Sequence, residues 1–242
     1  MHAAEESGLQ AERWAGRRVA FFGGSFDPPH LGHLAVARAA QAALALDTVL
    51  FAPVGAQPLK PRGSTAGFED RVTMTRLAIA GEPAFRISLA DAPTATGAPN
   101  YTVDTLHALR AELPAGGELY CLMGADSFLN LRHWHRAAEI PFAAHLIVAS
   151  RPRESLDNLG AALPAGLAIR PAPELAPKDS GVAVICFRIA NESGQSAPFY
   201  VLPGLHIEIS ATAIRRQAPG GKAGGLLPAA VAEYIRAHGL YK

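Results

Sequence analysis

"VAFFGGSFDPPHLGHL", residues 19–34, joins an apolar run to an alanine-rich stretch through two glycines, a hydroxyl and two imidazoles. The run up to Gly24 reads as a buried strand, and "LGHLAVARAAQAALAL", residues 31–46, reads as a helix without interior proline. Glycines directly after a strand let a ligand approach the main chain, and the helix that follows offers unpaired N–H groups. That combination is an anion site. The spacing fits neither a GxGxxG dinucleotide turn nor a Walker loop, since no GKS or GKT follows. His30 and His33 lie three apart at the helix start, so both rings can project from one face. Alone, the pair serves equally well as a helix cap and a partly buried filler. As metal ligands they lack an evident third partner, and no metal site is expected. With Gly23, Gly24 and Ser25 beside them, contact with a phosphate is favoured.

The whole chain is compatible with such a site. Its 242 residues are 49% apolar and 18% charged, which calls for a globular fold with a sizeable core. A formal net charge of +1 argues against a nucleic-acid or membrane-surface partner, which needs clustered Lys and Arg. Cys121 and Cys186 lie in separate apolar runs and are expected to be buried, inert thiols of a reducing compartment. Residues 1–16 carry Glu5, Glu6 and Glu12 without an apolar h-region, so a signal peptide is not expected. With no apolar run near ~18 residues, no membrane span is expected either. A cytoplasmic location follows as the expectation.

Beyond the opening corner, short apolar runs alternate with helical patterns. "DTVLFAPVG", "AFRISL", "ELYCLMGAD" and "AAHLIVASRP" read as strands. "FEDRVTMTRLAIAG" and "YTVDTLHALRAEL" read as helices, the first closed by Gly81 and the second carrying Val103, Leu106 and Leu109 on one face. A short helix should run from the Gly124 corner through Leu131. This alternation predicts an α/β fold, a Rossmann-like parallel sheet with helices on both faces. Ligands gather beyond the carboxyl ends of such strands, so the corners at Gly23 and Gly124 and the loop at Asn100 should share one crevice. Further on, "GVAVICFRIANESGQSAPFYVLPG" suggests paired strands around a polar turn, and a helix can lie within 151–167. "LHIEIS" reads as a strand, "SATAIRRQ" as a short helix and "PAAVAEYIRAHG" as another, giving a small helical portion after the sheet.

The corner "GGSFDPPHLGH" resembles the first signature of the HxGH nucleotidyltransferase superfamily, in the form found in nicotinate-nucleotide adenylyltransferases. Ser25 stands where that family usually has threonine. "ISATAIRR", residues 209–216, resembles the second signature; read alone, it could be a serine cap with a solvated arginine. "NYTVDTL" (100–106) and "LMGADSFLNLRHW" (122–134) resemble two elements of the pyridine-nucleotide branch. In "AQPLKP" the family often reads PxHK, and Leu59 replaces that histidine.

The resemblance implies transfer of AMP from ATP to nicotinate mononucleotide, giving deamido-NAD and pyrophosphate, with Mg²⁺ carried in by the triphosphate. It assigns His30, His33 and Arg215 to catalysis and Gly23, Gly24, Ser25, Phe26, Lys60, Asp126, Ser210 and Thr212 to ATP. Tyr101 and Thr102 would meet the nicotinate carboxylate and Trp134 would stack on the pyridine ring. Residues 17–242 would form one nucleotidyltransferase domain, lengthened at about 155–200, after a poorly ordered extension over 1–16. A sibling acting on nicotinamide mononucleotide shares nearly all these motifs, and a non-catalytic ATP sensor is the remaining alternative. Both monomer and homodimer stay open.

Overall fold

The computed structural model describes residues 18–57, 63–150, 159–178, 181–205, 209–217 and 224–242. Lys60 and Leu59, the extension over 1–16 and the centre of "LHIEIS" lie outside the described residues.

Alternating side chains of the first strand, β1 (Arg18–Gly24), divide the molecule into two layers. Ala20 and Phe22 point into one core, Val19 and Phe21 into the other. The next strand, β2 (Thr48–Pro53), repeats the division with Val49 and Phe51 against Leu50 and Ala52. A strand apolar on both faces needs cover on both, and helices supply it. The first face is covered by α1 (Leu31–Leu44) and α2 (Phe68–Ile79), through Leu34, Ala37, Met74 and Ala78. On the second lie α3 (Thr102–Glu112), α4 (Ala125–Leu129) and α5 (Ile140–Ala143), through Val103, Leu106, Phe128 and Ile140.

The remaining strands are β3 (Phe85–Ile87), β4 (Glu118–Gly124), β5 (His145–Ala149), β6 (Leu167–Pro171), β7 (Ile185–Asn191) and β8 (Ser196–Leu202). They form one sheet in the order β3-β2-β1-β4-β5-β8-β7-β6. All pairings from β3 to β8 are parallel, whereas β7 pairs antiparallel with both β8 and β6. The chain leaves β1 toward β2 on one side and later returns to place β4 on the other. Such a reversal opens a crevice at the carboxyl ends of the two central strands. Gly23 and Gly24 end β1, and Gly124 ends β4, so both corners flank it.

Several element boundaries differ from the sequence reading. The helix expected over 31–46 stops at Leu44, because Ala45 adopts φ 47° in the left-handed region. After α2 the chain passes through a right-handed Ala80, and Gly81 does not supply the left-handed cap expected of it. The region 151–167 contains a helix, α6 (Leu159–Ala162), and the paired strands around 192–195 are β7 and β8. Strand β6 was not anticipated. Two helices complete the fold, α7 (Ala211–Gln217) and α8 (Ala229–His238), the latter closed by a left-handed Gly239. Val231 and Ile235 dock α8 on the first core, and the Tyr234 hydroxyl donates to Asp70 of α2 at 2.9 Å.

Candidate active site

The corner after β1 is held from beneath by buried polar groups. A Cβ on Gly23 would lie 2.7 Å from the Phe21 ring, so any larger residue would have to displace that buried ring. Phe26 takes φ 46° and sends its ring into the first core, edge-on to Phe22 with centroids 5.6 Å apart. Only its main chain is left for a ligand. Ser25 is half-buried, its hydroxyl donating to Gln57 Oε1 at 3.3 Å.

Asp27 and Arg71, which the sequence reading passed over, organise this turn. The Asp27 carboxylate, 4% exposed, accepts the Ala66 N–H (3.0 Å) and the Tyr241 hydroxyl (2.8 Å) on Oδ1, and the Thr65 N–H (2.6 Å) on Oδ2. Arg71 of α2, 2% exposed, donates to three carbonyls: Ser25 (2.7 Å), Val54 (2.8 Å) and Ala66 (3.3 Å). Burial draws its pKa down against the opposing charge of Asp27, yet a guanidinium remains protonated. The corner is thus tied to the end of β2 and to the start of α2 by a buried cation.

His30 occupies the N-cap of α1 in an extended conformation, and its ring stacks on that of His33 with centroids 3.7 Å apart. The His30 N–H donates to His33 Nδ1 at 3.1 Å. An accepting Nδ1 carries no proton, so the proton of His33 resides on Nε2. Burial, and then the neighbouring His30, hold the His33 pKa well below the ordinary imidazole range. Burial thus favours the neutral His33 ring, with its one N–H donor on Nε2.

The second signature meets the first directly. Arg215 Nη1 donates to the Asp27 carbonyl at 2.6 Å across 188 residues of sequence, and Nη2 donates to Thr212 Oγ1 at 3.3 Å. Ser210 and Thr212 are exposed just before and within α7, while Ile214 anchors it in the first core.

On the other side of the corner, Asn100 fixes the loop that precedes α3. Its Oδ1 accepts the Ala56 N–H (3.0 Å) and its Nδ2 donates to the Ala92 carbonyl (2.9 Å). Gly55 allows the approach, because a Cβ there would lie 2.5 Å from the Pro93 nitrogen. Asp91 of the same loop accepts the Thr105 hydroxyl, and burial raises its pKa despite that bond. Its Oδ2 would lie 3.7 Å from a Cβ on Gly23, which puts this carboxyl directly against the corner. Tyr101 caps α3, Thr102 begins it, and the Tyr101 ring lies 4.2 Å from that of His135. Trp134, adjacent in sequence, packs half-buried against the second core. Asp126 is exposed in the first turn of α4, after Gly124.

Both cysteines are free and buried, and burial pushes the Cys121 thiol up to about 12. Among the described residues, no group of three or more His, Cys, Asp or Glu is placed to hold a metal ion, and no helix is long and apolar enough to cross a membrane. A cavity of about 530 Å³ opens at the opposite, amino end of the sheet, beside His107, Glu139 and Asn191. It shares no residue with the corner.

The parallel sheet thus carries a glycine corner at its switch point, met by an arginine from a late helix, and its family match makes this chain a nucleotidyltransferase. The cytidylyltransferase-like family model matches residues 21–217. A "Probable nicotinate-nucleotide adenylyltransferase" of Geobacter metallireducens is 36% identical over 225 residues, covering 93% of this chain and 98% of the relative. One of the same name from Stenotrophomonas maltophilia is 39% identical over 235 residues, covering 92% and 96%. The chain belongs to the nicotinate-nucleotide adenylyltransferase family. The fold is also that of the Plasmodium falciparum nicotinic acid mononucleotide adenylyltransferase complexed with NaAD, with a TM-score of 0.64, 15% identity, and 93% and 98% of the two chains covered.

Proposed function

We infer that this chain transfers the adenylyl group of ATP to nicotinate mononucleotide, releasing pyrophosphate and forming deamido-NAD. The observation that carries the reading is the hydrogen bond from Arg215 to the Asp27 carbonyl, which unites two signatures at the carboxyl end of β1.

The attacking atom is a phosphate oxygen of the mononucleotide, already ionised near neutral pH, so no protein nucleophile is needed. The obstacle is electrostatic: two polyanions must meet at the α-phosphorus, and charge builds on the departing pyrophosphate. Gly23 and Gly24 let the α-phosphate approach the main chain, with Ser25 and the Phe26 main chain donating beside it. His33 contributes a neutral Nε2–H donor, which can stabilise developing charge without first losing a proton. His30 shares the same bracket around the α–β bridge. Arg215, Ser210 and Thr212 take the outer phosphates, and Lys60 adds a cation from the loop before α2. Asp126 holds a ribose hydroxyl, Tyr101 and Thr102 meet the nicotinate carboxylate, and Trp134 stacks on the pyridine. A divalent cation, Mg²⁺ in this reading, arrives on the triphosphate and offsets its charge.

Pyrophosphate release from ATP and Mg²⁺, with nicotinate and nicotinamide mononucleotides compared side by side, tests the reading. Faster turnover of the nicotinate form is expected. Preference for nicotinamide mononucleotide would contradict the substrate assignment, and ATP binding without pyrophosphate release would contradict catalysis.

A further inference from the structure

Past α8 the chain turns back toward the corner. Gly239 takes φ 61° and Tyr241 φ 63°, a left-handed conformation that a bulky residue keeps only where its surroundings hold it. Tyr241, 9% exposed, packs in the first core, and its hydroxyl donates to Asp27 Oδ1 at 2.8 Å. Burial, and then the adjoining carboxylate, raise the Tyr241 pKa far enough that the phenol stays a donor throughout the working range.

Asp27 therefore spends its oxygens on uncharged donors: Ala66 N–H and the phenol on Oδ1, Thr65 N–H on Oδ2. Arg215 Nη1 forms only a long ion pair with Oδ2, at 3.7 Å, and gives its hydrogen bond instead to the Asp27 main-chain carbonyl. The difference matters, because a carboxylate paired closely with a guanidinium competes with phosphate for the same fork of donors. The Asp27 carbonyl and the Thr212 hydroxyl each take one N–H of the guanidinium, and three of its five N–H groups stay available to a phosphate.

We propose that Tyr241 is a positioning residue for the triphosphate: by occupying Asp27 Oδ1 it keeps that carboxylate from capturing Arg215, which stays stationed at the corner and available to a phosphate. The proposal rests on the reading above in one respect, that Arg215 meets ATP.

Tyr241→Phe keeps the ring and removes only the donor. ATP affinity in the presence of Mg²⁺, measured by calorimetry on the full chain, is compared for wild type, Tyr241→Phe, Arg215→Ala and the double variant. Tyr241→Phe should weaken ATP about threefold to tenfold, the range expected of one hydrogen bond. It should leave the KM for the mononucleotide near wild type, with a fall of only a few degrees in the thermal midpoint from the one buried hydrogen bond lost. In the Arg215→Ala background the same substitution should change ATP affinity no further. Unaltered ATP affinity in Tyr241→Phe would overturn the proposal, and so would an equal loss with and without Arg215. So would a fall in kcat and both KM values tracking a lowered thermal midpoint. A wild-type chain that binds ATP without releasing pyrophosphate would refute adenylyl transfer, while the affinity comparison still decides the role of Tyr241.

Discussion

The glycine corner and α7 contribute to one candidate site but are built in opposite ways. In the corner, the anchoring groups are buried: Asp27 and Arg71 between them make six hydrogen bonds of 3.3 Å or less to residues 25, 54, 65, 66 and 241. α7 is a short helix, with Ser210 exposed just before it and Thr212 exposed within it, docked through the Ile214 side chain and the Arg215 contact. A preorganised donor costs no reorganisation when charge develops, so the rigid corner is suited to the reacting α-phosphate. Groups that bind and release the outer phosphates need freedom to move, and a lightly docked helix gives it.

The comparison can be broken most severely from below. Arg71→Met preserves bulk but removes the donor to the Ser25, Val54 and Ala66 carbonyls, and each buried acceptor so deprived costs roughly 1–3 kcal/mol. Urea unfolding should report a loss of at least about 3 kcal/mol; a loss under 1 kcal/mol would show that the corner does not depend on its buried cation. His33→Ala should lower turnover by ~10²–10³, about 2.7–4 kcal/mol, with the thermal midpoint little changed. Near-wild-type turnover would remove His33 from the site. Arg215→Ala should raise the KM for ATP about tenfold, the loss expected of a charge-assisted hydrogen bond, with a smaller effect on kcat. A change confined to kcat would mean that α7 acts on the reacting centre and not on the outer phosphates.

The smallest effect is with pH. The folded pKa of His33 is depressed, so its contribution to stability is present above pH 6.5 and is lost as pH falls toward the folded pKa. His145, also depressed by burial, adds in the same direction. Stability should therefore fall below pH 6.5, by at most about 1.4 kcal/mol per unit for each histidine. In His33→Gln the slope should be shallower. Titration of the His33 ring by NMR at or above pH 6.5 would contradict the neutral donor assigned to it.

The parts of this architecture set by periodicity were legible in the sequence. β1, α1 and the strand–helix alternation followed from apolar spacing, and the two signatures could be expected at one end of a parallel sheet. Residues whose roles depend on distant main-chain groups were not legible. Asp27 sits inside a quoted motif, yet nothing local says that its oxygens bind N–H groups 38 and 39 residues away. Nothing in the helical pattern singles out Arg71, because neither its burial nor its carbonyl partners leave a mark on it. β6 escaped for a related reason: at the sheet edge its Ala168 and Arg170 are exposed and Pro171 ends it, so it lacks the apolar run by which the central strands were recognised. His33 could be named from the motif, but its protonation state needed the His30 N–H.

The central claim is that the corner and α7 close on one triphosphate. A crystal structure with a non-hydrolysable ATP analogue and Mg²⁺ tests it most directly. The account predicts the α-phosphate against Gly23–Ser25 and His33 Nε2, with Ser210, Thr212 and Arg215 on the outer phosphates. A triphosphate bound away from the start of α1, with Arg215 still on the Asp27 carbonyl and no phosphate near it, would contradict it.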